Sequence, residues 1–132
     1  MKVSGTFDVS LKPLDAHAEG KLGVKFGRMA IDKTFHGELK ATSKGEMLSA
    51  MTPTQGSAGY VAIEQVIGKL CDKHGSFVLQ HFGTMHQGED RLVLEVVPGS
   101  ATEELSGLAG SMVINIDNGQ HFYEFDFELP SP

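Results

Sequence analysis

Between Tyr123 and Leu129 apolar and polar residues alternate, with Tyr123, Phe125, Phe127 and Leu129 on one face and Glu124, Asp126 and Glu128 on the other. Phe122 alone spoils the polar face. A period of two is that of a half-buried strand, whose successive side chains point to opposite sides of a sheet. The same alternation runs through Leu92, Leu94 and Val96, through Met112, Ile114 and Ile116, and through Leu22, Val24 and Phe26. Segments 59–68 and 76–85 are apolar on both faces and read as central strands. Helical periodicity is sustained nowhere over a window of about 11 residues. The pattern predicts eight strands, over 2–12, 20–34, 36–51, 57–70, 75–86, 90–97, 107–118 and 120–129. One short helical turn is expected near 101–105, where Ser100 and Glu103 have the spacing of a capping box and Gly107 ends the turn.

Turn chemistry supports this division. Asn118-Gly119 is the favoured centre of a tight hairpin turn, and Lys44-Gly45 and Gln87-Gly88 carry weaker forms of the signal. The chain holds 16 glycines in 132 residues, about 12% against a usual share of ~7%. Gly5, Gly27, Gly68, Gly83 and Gly110 fall in or at the ends of strand patterns, where they predict bulges or bends that let a sheet curl. The expected fold is all-β: a single antiparallel eight-stranded meander barrel over residues 1–129, with a disordered tail at 130–132. A two-sheet sandwich is the alternative, and closure is preferred because it removes exposed edges.

Charge and cysteine usage narrow the function classes. Lys and Arg total 11 against 17 Asp and Glu, a formal net charge of −6, which argues against nucleic-acid binding. Apolar runs are too short for a membrane span or a signal peptide. Cys71, the single cysteine, excludes a disulfide scaffold and fits a reducing compartment, so the expected location is cytoplasmic.

Candidate chemistry sits on two predicted central strands. Gly75 and His81 have the spacing that opens a metal-binding cupin pattern, but Gly83 stands where the second histidine would be. No other metal-ligand spacing appears, and no metal or cofactor is expected. His81 shares a face with Phe77 and Leu79, which makes it either a satisfied core histidine or a ligand-facing one. Glu64 lies in an otherwise apolar strand, and burial without a partner would raise its pKa toward that of a general base. Its direction depends on register. The more apolar face, Val61, Ile63, Gln65 and Ile67, favours Glu64 outward and Gln65 inward. His121 and Tyr123 share the aromatic face that leads to Phe125, and Tyr123 could donate a proton to a bound molecule. Lys73 and His74 near Cys71 could favour its thiolate, although an incidental turn cysteine is the simpler reading.

Segments spread over the chain carry a resemblance. These are Lys33-Thr34-Phe35-His36-Gly37-Glu38-Leu39, Gly59-Tyr60-Val61-Ala62-Ile63-Glu64, Gly75 to Gly83, Val97-Pro98-Gly99-Ser100 running on to Gly110, and His121-x-Tyr123-x-Phe125. Together they resemble domain-of-unknown-function family 3224, small bacterial proteins. The resemblance implies a barrel similar to allene oxide cyclase and carries no assigned activity. Leu70-Cys71-Asp72-Lys73-His74 departs from it, standing where a Gly-Arg pair is expected.

Two functions then compete. A binding barrel would hold one small, largely apolar molecule among His81, Tyr123, Gln65, Phe77, Phe125 and His121. A cofactor-independent cyclase or isomerase would use Glu64 as anchor or base, His81 as shuttle and Tyr123 as donor. A filled barrel acting through its surface, or as a homo-oligomer, is a third reading.

Overall fold

The structure is a computed structural model that describes residues 1–130. Eight strands follow one another around a closed antiparallel barrel: β1 (Lys2–Leu14), β2 (Lys25–Gly37), β3 (Leu39–Met51), β4 (Ala58–Leu70), β5 (Lys73–His86), β6 (Glu89–Val96), β7 (Ala109–Asp117) and β8 (Gln120–Glu128). The expected meander is therefore present. Pro130 lies against Gly107, and the rest of the expected tail falls outside the described residues.

Alternation sets which side chains enter. Phe7, Phe35, Phe77, Tyr123, Phe125 and Phe127 fill the lower interior with Leu39, Leu70, Leu79 and Leu94. Phe77 stacks on Phe125 at 5.7 Å between ring centres, and Phe125 contacts Phe127 at 5.3 Å. The bottom is closed by the β6–β7 connection, which inserts Leu105 from its 3-10 turn Glu103–Leu105 and then Leu108. The expected capping box of Ser100 and Glu103 does not form: Thr102 stands at the N-cap, and the hydroxyls of both Ser100 and Thr102 bond across to β5. Ser100 Oγ accepts the Val78 N–H at 3.0 Å, and Thr102 Oγ1 accepts the Ser76 N–H at 3.1 Å.

Three further sequence expectations change. Residues 20–24 belong to the β1–β2 loop, where Val24 N–H closes a turn on Lys21 C=O and Leu22 is exposed, so β2 begins only at Lys25. Lys44-Gly45 is not a turn but the middle of β3, with Gly45 paired to Ile31 and Glu64. The double-sided apolar character of β4 and β5 does not mean burial on both sides. Val61, Ile63, Ile67 and Phe82 stand on the outer wall, largely exposed, and a groove of about 480 Å³ runs there beneath the 16–18 loop against Phe26, Leu48 and Val61. The Asn118-Gly119 hairpin has both residues at positive φ (50° and 77°), as the tight turn requires.

Tyr123 holds the bottom together. Its ring lies over Gly5 and Gly37, where a side chain would collide with the phenol oxygen. The hydroxyl donates to His36 C=O at 2.8 Å and accepts the Leu39 N–H at 3.2 Å, tying β8 to the β2–β3 turn. Tyr123→Phe strips both partners of that oxygen, so a urea denaturation curve should report a loss of about 1–3 kcal/mol.

Candidate functional site

Above the aromatic layers the interior turns polar. On β2 the inward row is Ile31, Lys33 and Phe35; on β3 it is Leu39, Ala41 and Ser43; on β4 it is Ala62, Glu64 and Val66; on β5 it is Phe77, Leu79 and His81. Lys33 and Ser43 are direct cross-strand partners, Gly45 faces Glu64, and Ala62 faces His81. Glu64 therefore meets Ser43 and His81 on the diagonals, within reach of long side chains. A Cβ on Gly45 would overlap Glu64 Cα and Cβ, so glycine is what lets the carboxylate strand pass this close.

Three side chains converge on one carboxylate. Lys33 Nζ donates to Glu64 Oε2 at 2.8 Å, Ser43 Oγ donates to Oε1 at 2.6 Å, and His81 Nε2 also bonds Oε2. Glu64 has no solvent exposure, and His81 and Lys33 are 4% and 7% exposed. Lys33 is further held over the faces of Phe7 (5.0 Å) and Phe35 (5.8 Å). On the far side of His81, Tyr60 OH lies 3.3 Å from Nδ1. The Tyr60 ring crosses the space that a Cβ on Gly83 would occupy, so the glycine that breaks the cupin spacing is the seat of a tyrosine.

Burial works to raise the Glu64 pKa, but the bonds from His81, Lys33 and Ser43 and the charge on Lys33 outweigh it and bring it down to about 2. Glu64 is thus an ionised anchor, and the expectation of a raised, basic carboxylate is corrected: the lone-carboxylate argument lacked its partners. Burial, then the Glu64 charge, pushes the Tyr60 phenol up, which keeps it protonated.

The network ends at a cavity. Between Tyr60 and the open mouth lies a space of about 660 Å³ lined by Met47, Met51, Tyr60, Met85, Leu92 and Ile114, among others. It opens sideways as well, because β6 and β7 pair only at Leu94–Met112 and Glu95–Ser111. Leu92 and Ile114, the next inward-facing residues up, both line the cavity without a ladder pair between them.

Sequence-predicted residues separate accordingly. His81 and Glu64 face inward and meet each other. Gln65 points to the outer wall and is exposed, so it is corrected as an interior contact; β4 turned its more apolar face to solvent in order to bring Glu64 in. Phe77 and Phe125 belong to the packed lower core, Tyr123 to the bottom, and His121 to the edge of Phe7 at 5.0 Å. For Cys71, burial with Glu38 and Asp72 pushes the thiol up, against the idea of a cation-favoured thiolate. Sequence reasoning missed Lys33, Ser43 and Tyr60. The signal for Lys33 was its odd-numbered register with Ile31 and Phe35. Among the described residues no group of three or more His, Cys, Asp or Glu is placed to hold a metal ion.

Glu64 ionises near 2 in the fold and near 4.5 in an unfolded chain. Its stabilisation is therefore present above pH 4.5 and disappears as pH falls from 4.5 toward 2, roughly 3 kcal/mol in all. Lys33→Met alone strands the carboxylate and should cost about 3–5 kcal/mol at pH 7. Lys33→Met combined with Glu64→Gln should recover most of that loss and flatten the acid limb. Urea denaturation across pH 2–7 measures both.

Comparison with known proteins agrees with this architecture. A crystal structure of a protein of unknown function from Shewanella oneidensis MR-1, of the DUF3224 family, superposes with a TM-score of 0.97 at 64% identity, covering 100% of this chain and 98% of that one. No curated protein matches the chain. The family described as "Protein of unknown function (DUF3224)" matches residues 3–127, and the chain belongs to that family.

Proposed function

We propose that this barrel binds a small, largely apolar molecule in its mouth. The observation that carries the reading is the cavity of about 660 Å³ walled by methionine, leucine and isoleucine side chains with Tyr60 among them. That is the size of a small-ligand pocket, apolar along its methionine, leucine and isoleucine walls, with Ser49, Thr84, Asp90, Arg91 and Asn115 also in its lining. Three methionines, Met47, Met51 and Met85, line it; their unbranched, polarisable side chains adapt to an irregular guest. The polar network behind Tyr60 is fully partnered, since no buried side-chain nitrogen or oxygen among the described residues lacks a hydrogen bond. It therefore makes a stable backing for the pocket rather than a set of groups awaiting a ligand. The reading places the contacts at Tyr60 and the methionines, with His81 one bond behind them.

The test must separate the mouth from the apolar groove on the outer wall. N-phenyl-1-naphthylamine, which fluoresces when it leaves water, serves as probe. Ala58→Trp, at the mouth beside Met51 and Met85 in register, should weaken its binding at least about tenfold, as expected for a filled pocket. Val61→Lys, in the outer groove, should leave it unchanged. The reverse pattern would move the site to the outer wall and sink the proposal.

A further inference from the structure

The chemistry of the bound molecule can be read from the direction of the hydrogen bonds behind Tyr60, given the mouth-binding reading above. An ionised carboxylate can only accept, so Lys33, Ser43 and His81 all donate to Glu64. His81 accordingly carries its proton on Nε2. Lys33 already balances the Glu64 charge, so a neutral imidazole leaves this part of the interior without net charge, whereas an imidazolium would add an unmatched one. A neutral imidazole protonated at Nε2 presents a bare lone pair at Nδ1. The neighbour of that lone pair is Tyr60 OH, at 3.3 Å, and the phenol proton goes to it.

The donor chain therefore runs one way, from Tyr60 to His81 to Glu64. With its proton committed inward, the Tyr60 oxygen has only lone pairs left for the cavity that the residue lines. Ser49, the cross-strand partner of Tyr60, also lines the cavity, but a hydroxyl that donates or accepts does not discriminate. The other polar side chains of the lining, Thr84, Asp90, Arg91 and Asn115, are exposed to water at the rim. We infer that the barrel selects apolar alcohols or phenols, whose hydroxyl donates to Tyr60 Oη, and that Tyr60 is the specificity-determining residue of the mouth.

A matched pair of probes tests this. 1-Naphthol can donate a hydrogen bond, and 1-methoxynaphthalene keeps the ring system but can only accept. Calorimetric titration should show the wild-type protein binding 1-naphthol about threefold to tenfold more tightly, the worth of one hydrogen bond. Tyr60→Phe should abolish the preference by weakening 1-naphthol alone. Equal binding of the two by wild type, or tighter binding of the ether, would overturn the inference and leave the binding barrel standing. A preference that survives in Tyr60→Phe or in Ala58→Trp would overturn it too, because the partner of the hydroxyl would lie elsewhere. Binding of neither probe would remove the mouth-binding reading and this inference together. Should Tyr60→Phe fail to fold, the wild-type pair together with its loss in Ala58→Trp decides instead.

Discussion

A carboxylate with no access to water is the constraint on which the upper half of this barrel depends. Glu64 cannot be buried alone, since an unpaired charge in the interior costs several kcal/mol even after relaxation. Its partners come from three other strands: Lys33 from β2, Ser43 from β3 and His81 from β5. Slipping any of these strands by one residue would turn that partner to the outside. The buried charge therefore acts as a register pin across four consecutive strands. Backbone ladders hold β2 to β5 together; the Glu64 cluster specifies which rungs meet.

The same cluster divides the interior into two parts with different tasks. Beneath it aromatic rings, Leu105 and Leu108 pack the barrel shut, and Tyr123 ties the bottom to the β2–β3 turn. Above it glycines at 45 and 83 leave room for Glu64 and for the Tyr60 ring, and the short β6–β7 ladder lets the wall part beside Leu92 and Ile114. A packed floor and a loosely closed rim let one eight-stranded barrel hold a cavity without losing its core. Two hydrogen bonds, Tyr60 to His81 and His81 to Glu64, link the lining of the cavity to the buried charge.

Much of the fold was legible from period and punctuation. The alternation at Tyr123–Leu129 and the Asn118-Gly119 turn need only local information, because a strand's faces and a tight turn's dihedrals are set by adjacent residues. The candidate site was legible in part. His81 shared a face with Phe77 and Leu79, and that face is indeed inside. Glu64 was visible as an anomaly, but its direction was not. Counting apolar residues pointed Val61, Ile63 and Ile67 inward, and the structure leaves them exposed. Two faces of comparable hydrophobicity do not decide an orientation; the gain from pairing Glu64 with Lys33 and His81 does, and that pairing involves residues 31 and 17 positions away.

What the sequence determined by itself was therefore the set of strands, the glycine and asparagine turns between most of them, and an all-β chain with an anomalous carboxylate and histidine. Those properties follow from interactions between neighbours along the chain. What only the tertiary structure decided was which face of β4 looks inward, that Gly45 and Gly83 are contact points rather than a turn or a bend, and that Lys33, Ser43 and Tyr60 belong with Glu64 and His81. Each of these depends on the stagger between hydrogen-bonded strands. In that stagger every buried side-chain nitrogen and oxygen among the described residues finds a partner, and no local pattern encodes it.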